Sequence, residues 1–172
     1  MIFVILLIAV LLFGGYYIVN RSVENHQHWQ HTFDGLSFSA EEFYQAVQAA
    51  ITKREIPDIR FSRVNYSQKG LFSDKREYLH IEKGEFIYDV CAAPYGTGFF
   101  VSMWFAQRPS VTKKLGRKVK ALEAIVDSQS YYTIDTNAMI HGAIQSGFHE
   151  AIEEMTVSKG VRQLSNAELK FF

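Results

Sequence analysis

The chain has 172 residues, enough for one folded domain with a proper core and too few for two once the N-terminus is set aside. Its 18 basic and 18 acidic residues balance, so no global field recruits nucleic acid or acidic substrates. The one cysteine, Cys91, excludes an intrachain disulfide, and the 15% aromatic content requires most of the 14 Phe to be buried.

Residues 2–19, IFVILLIAVLLFGGYYIV, form an apolar run without a charge. As a helix at about 1.5 Å per residue it reaches about 27 Å, enough to cross a hydrocarbon core. Tyr16 and Tyr17 fall where an aromatic belt belongs, with Asn20 and Arg21 directly after. A cleaved signal peptide fits less well, because no Lys or Arg precedes the run and no small-x-small site follows it. The expectation is therefore a single-pass anchor over residues 1–21, with Arg21 favouring a cytoplasmic domain.

Residues 22–37 read as a polar juxtamembrane spacer, with Trp29 at headgroup level. His26, His28 and His31 are close enough in sequence to raise a metal site, but no cysteine joins them, and the spacer reading is preferred. A soluble domain over residues 38–160 follows. Ser39 and Glu42 make a capping box and Phe38 and Phe43 a hydrophobic staple, so a helix starts here. Its apolar stripe is Phe43, Val47 and Ile51, widened by Tyr44, Ala46 and Ala50, and Pro57 stops it after Arg54.

Strands are expected over residues 59–67, with a bulge at a change of phase around Arg63, and over residues 75–82, joined by a turn that displays Leu71 and Phe72. Lys83 and Gly84 make a tight hairpin into two apolar strands within residues 85–106, joined by a Pro- and Gly-rich turn over residues 93–98. The second of these strands is apolar on both sides, with Phe99, Val101, Met103 and Phe105 against Phe100, Ser102 and Trp104, as at the centre of a sheet. Four strands with short links make an antiparallel meander. A basic run, Lys113, Lys114, Arg117, Lys118 and Lys120, precedes a short helix over residues 121–126. Residues 130–134 read as a fifth strand, and Asp135 or Thr136 as the cap of a long last helix ending near Ser158. Its buried stripe is Ile140, Ile144, Phe148, Ile152 and Met155, and Gly142 and Gly147 interrupt it for close packing or exposure. Residues 161–172 form a tail that opens with a second capping-box pattern, Ser165 and Glu168, and ends in Phe171 and Phe172.

The fold class is thus α+β: an anchor, then a four- to five-stranded, mainly antiparallel sheet packed by an N-terminal and a long C-terminal helix. No constellation carries catalysis, and no cofactor is expected. His141 and His149, eight residues apart on one helix, stand too far apart to share a metal. Cys91 and His80 have no reason in the sequence to meet, and Cys91 reads as a small buried hydrophobe. Asp89 interrupts an apolar strand and is the first place to look for a polar pocket. Tyr131, Tyr132 and Asp135 line a ligand cleft or equally form a strand end and a cap. The basic run is drawn to anionic lipid or a partner, or is a solvated loop, with contact to nucleic acid the lesser alternative. The leading functional expectation is a membrane-anchored, non-catalytic interaction subunit, with the bilayer and other protein subunits, a second copy among them, as partners and no nucleic acid. Leu71, Phe72, Phe171 and Phe172 would supply its contacts. The alternative is a membrane-tethered ligand-sensing domain with a pocket near Asp89, and the third an unrecognised enzyme.

Overall fold

The computed structural model of the chain describes residues 24–67, 75–108, 131–165 and 167–170. The elements in order are β1 (Glu24–Asp34), α1 (Ala40–Thr52), β2 (Arg60–Ser67), β3 (Lys75–Lys83), β4 (Phe86–Tyr95), β5 (Gly98–Gln107) and α2 (Tyr131–Ser158). The five strands form one antiparallel sheet in the order β1-β5-β4-β3-β2. The α+β class and the long C-terminal helix stand as expected. Among the described residues no helix is long and apolar enough to cross a membrane, and residues 2–19 lie outside them.

Two hairpins fix the centre of the sheet. Lys83 pairs with Phe86 across Gly84 and Glu85, and Tyr95 pairs with Gly98 across Gly96 and Thr97. Gly84 (φ +59°) and Gly96 (φ +60°) supply the positive φ that such two-residue turns demand. The strands therefore run further than the sequence reading allowed: Ala93, Pro94 and Tyr95, expected in a turn, belong to β4. No bulge occurs at Arg63, since β2 and β3 pair without a break from Arg60 and Glu82 to Ser67 and Lys75. The register shift lies instead in β1, between Asn25 and Gln27.

The spacer reading of residues 22–37 is corrected most clearly. Residues 24–34 form the edge strand β1, whose polar residues alternate with Trp29 and Phe33. Trp29 is 1% exposed and packs edge-on against Phe148, with Nε1 donating 2.7 Å to the Glu168 carbonyl. It is a core residue, not a headgroup residue. Leu164 and Leu169 pack on the core as well, so residues 161–165 and 167–170 close the domain rather than trail from it.

Both helices cover one face of the sheet, here called the inner face. α1 begins at the expected capping box: Ser39 Oγ accepts from Glu42 N at 3.1 Å, and Glu42 Oε2 accepts from Ser39 N at 2.8 Å. It buries Phe43, Tyr44, Val47, Ala50 and Ile51 against Leu79, Ile81, Tyr88, Val90, Phe99, Val101 and Met103 of the sheet. α2 adds Ile144, Phe148, Ala151, Ile152 and Met155, as its periodicity predicts. It runs antiparallel to α1. Gly147 meets Ile51 near the end of α1, while Lys159 lies over the Phe38 ring near its start. Arg54 donates to Glu150 at 2.8 Å and to Ser146 at 3.2 Å, clamping the two helices.

Residues 131–134 are the first turn of α2, not a fifth strand, and Asp135 and Thr136 are interior helical residues rather than caps. Their strongly β-prone sequence does not decide the outcome: β1 takes the place beside β5, and these residues continue the helical stretch of α2.

A polar cleft on the outer face of the sheet

Among the described residues the outer face carries no helix, and strand register builds a cleft of about 440 Å³ on it. Pairing across three strands places His80 of β3 opposite Asp89 of β4, and Asp89 opposite Trp104 of β5. Tyr66, Tyr78, Ile87, Ala106 and Arg108 complete the lining. Trp104 is 38% exposed, and the His28 ring stacks on it at 3.8 Å. Tyr66 and Tyr78 meet edge-to-face at 5.1 Å.

His80 is the hub of the cleft. Its Nδ1 lies 2.5 Å from Asp89 Oδ1 and its Nε2 lies 3.1 Å from Glu82 Oε1. A carboxylate accepts and does not donate, so both contacts are satisfied only when both ring nitrogens carry protons, and the arrangement favours the imidazolium. The hydrogen bond to Asp89 accordingly pushes the His80 pKa up, against a smaller effect of burial and with help from Glu82. Asp89 also accepts from the Tyr66 hydroxyl at 2.9 Å, and burial together with the Asp89 charge pushes that phenol up. Burial pushes the Glu82 carboxyl up, but hydrogen bonds from His80 and Arg108 (2.5 Å) outweigh it and hold Glu82 below the usual carboxylate range. Arg60, largely exposed, adds a longer contact to Glu82 at 3.4 Å. The two cations of the lining, His80 and Arg108, are thus offset by Asp89 in the lining and by Glu82, which pairs with both of them beside it.

While both nitrogens donate, His80 has no lone pair with which to hold a metal ion or accept a proton. Cys91 lies on the same face, fully buried, and is held by hydrogen bonds with Tyr78 and Arg76 rather than by His80. Burial pushes its thiol up, which suppresses the thiolate.

The other candidate residues scatter. His28 faces the cleft on the Trp104 ring, whereas His31 packs against Phe33 and Trp29 on the opposite face. An odd separation on a strand forces that divergence, so these two cannot share an ion. The His26 side chain lies outside the described residues. Tyr131, Tyr132 and Asp135 are exposed at the start of α2 and do not line the cleft. Lys113, Lys114, Arg117, Lys118, Lys120, Leu71, Phe72, Phe171 and Phe172 lie outside the described residues, as does the expected short helix over residues 121–126.

A second polar cluster occupies the inner face. His141 accepts from the Tyr88 hydroxyl at 2.9 Å through Nδ1 and donates to Gln27 Oε1 at 3.0 Å through Nε2. Burial pushes its pKa down, in accord with a neutral ring that has one acceptor and one donor nitrogen. Along α2, His149 lies in a separate pocket with Gln163, Leu164 and Leu169, so the two histidines serve different places.

The chain matches no protein family, no curated protein and no solved structure.

Proposed function

We propose that the chain is a membrane-attached, non-catalytic module that binds a small uncharged ligand in the outer-face cleft. The observation that carries this reading is the cleft itself: three aromatic side chains around a carboxylate–imidazolium pair that already satisfies its own charge. Binding pockets combine apolar and aromatic walls with a few convergent polar groups, and Trp104, Tyr66, Tyr78 and Asp89 supply both. A charged ligand would have to compete with the half-buried pairs His80–Asp89 and Arg108–Glu82, and breaking such a pair leaves an uncompensated charge. A planar neutral group can stack on Trp104 and donate to an Asp89 oxygen at no such cost. Membrane attachment is supported by the uncharged run of residues 2–19 and its flanking Tyr16, Tyr17 and Arg21. The contact residues of the scaffold reading lie outside the described residues, so the cleft, which supports the ligand-binding alternative, is the better guide.

The test is the thermal stability of the full-length protein in detergent with benzamide, benzoate or benzylamine, which share a ring and differ in charge. Benzamide is expected to raise the melting temperature, by an amount equivalent to about 1.4 kcal/mol at tenfold excess over its Kd. Trp104→Ala and Asp89→Asn should abolish that rise. Equal shifts with the charged compounds, or none with benzamide, would remove the reading.

A further inference from the structure

The domain has two distinguishable ends, and three features fall at one of them. β1 begins at this end, because Glu24 pairs with Gln107, which also pairs with Phe86. Glu24 follows Val19 by five positions, a reach of at most about 17 Å in an extended chain. α2 enters from the same end: His141 lies over the row formed by Gln27, Phe105 and Tyr88, within a few residues of the strand termini. The ten helical residues before His141 extend roughly 15 Å further, away from the packed part of the inner face. Ile140, next to His141, packs against the core, but the apolar side chains before it do not fold back. Tyr131 is 87% exposed, Tyr132 81%, Met139 67% and Ile134 47%.

We propose that the first turn of α2 sits in the headgroup layer of a lipid bilayer, which makes this end of the domain its membrane-facing end. The proposal rests on the reading of residues 2–19 as an anchor, since that run, five residues from β1, brings the bilayer to this end. Tyrosines with apolar neighbours suit the interfacial layer, where the ring is half buried and the hydroxyl stays wet. Clustered exposed apolar side chains on one projecting element also mark a contact rather than ordinary surface. Asp135 follows Tyr131 by four residues and shares its side of the helix, so the helix cannot lie flat in the acyl region. Contact is end-on and shallow, through Tyr131, Tyr132 and Ile134. Arg60 at the start of β2 stands at the same end with its guanidinium largely exposed, placed to meet lipid phosphate.

The experiment uses the full chain reconstituted into phosphatidylcholine–phosphatidylglycerol vesicles. Tyr132→Cys and Val157→Cys are labelled singly with a nitrobenzoxadiazole dye; the native Cys91 is buried and stays unlabelled. Val157, 56% exposed at the opposite end of α2, is the control. The label at position 132 should emit to the blue of the control and be quenched several-fold more strongly by brominated lipid. A label at 132 as open to aqueous iodide as the one at 157, in protein that carbonate does not extract, overturns the membrane contact and leaves the anchor standing. Extraction of the unlabelled protein by carbonate overturns both.

Discussion

Two histidines set opposite pH responses in this domain. Burial pushes the His141 pKa down, below the usual value of about 6.5. The stability that depends on neutral His141 is therefore fully present above about pH 6.5 and is lost as pH falls through its lower folded value. His80 has the reverse sign. Its pKa is raised by Asp89, so its contribution is full below about pH 6.5 and fades as pH rises through the raised folded value. Among the described residues the hydrogen-bond and ring partners of His141 are Tyr88, Phe105 and Gln27, none of them charged, so its response is the cleaner one to read. Replacing His141 with Gln should shrink the loss of stability between pH 7.5 and pH 5, measured by urea unfolding midpoints. His149 and His28, also pushed down by burial, keep part of that loss in the variant. A variant with the full wild-type loss would show that His141 is not held neutral. Of these residues, Asp89 was legible in the sequence as a polar break in an apolar strand. Its partners His80 and Trp104 were not, because the first hairpin was placed at Lys83 and Gly84 and the second turn was drawn too wide. A one-residue shift of register exchanges the faces of a strand, so the row could be found only from the turns at Gly84 and Glu85 and at Gly96 and Thr97.

The elements with strong local signals formed where periodicity and capping put them, and those chosen by tertiary competition did not. α1 follows from its capping box and stripe, and the meander from its short links. β1 was hidden because an edge strand with one buried face can be mostly polar, and residues 24–34 show only Trp29 and Phe33 as large apolar residues on that face. The start of α2 was hidden for the opposite reason: Tyr131, Tyr132 and Ile134 have strand propensity, yet the helix overrides it and β1 takes the place beside β5. The two glycines inside α2 resolve differently. A Cβ on Gly147 would stand 2.6 Å from Ile51 Cγ1 and 3.3 Å from Ile51 Cα, whereas a Cβ on Gly142 meets nothing within 4 Å. Gly147→Ala should therefore destabilise by about 1–3 kcal/mol, despite the better helix former, because the helices must part. Gly142→Ala should stabilise by up to about 1 kcal/mol. Denaturant midpoints of the two variants check both signs, and equal effects would mean that the helices do not approach at Gly147.

At the scale of the whole molecule, the sheet separates two kinds of surface. Its inner face is filled by α1, α2 and the segment bearing Val161, Leu164 and Leu169, and two polar pairs there, Tyr88 with His141 and Trp29 with the Glu168 carbonyl, are satisfied. Its outer face keeps an aromatic cleft around a charge-balanced pair. A packed face needs no ligand, whereas a cleft with an exposed Trp104 offers one a stacking surface. The chain has two tryptophans, one on each face, so the protein carries its own reporter and its own control. The direct measurement is a titration of the full-length protein with benzamide, following the two indole N–H resonances by ¹⁵N-edited NMR. A ligand in the cleft shifts the Trp104 signal saturably and leaves Trp29, 1% exposed in the core, in place. An unmoved Trp104 resonance, or equal drift of both signals without saturation, would contradict the account.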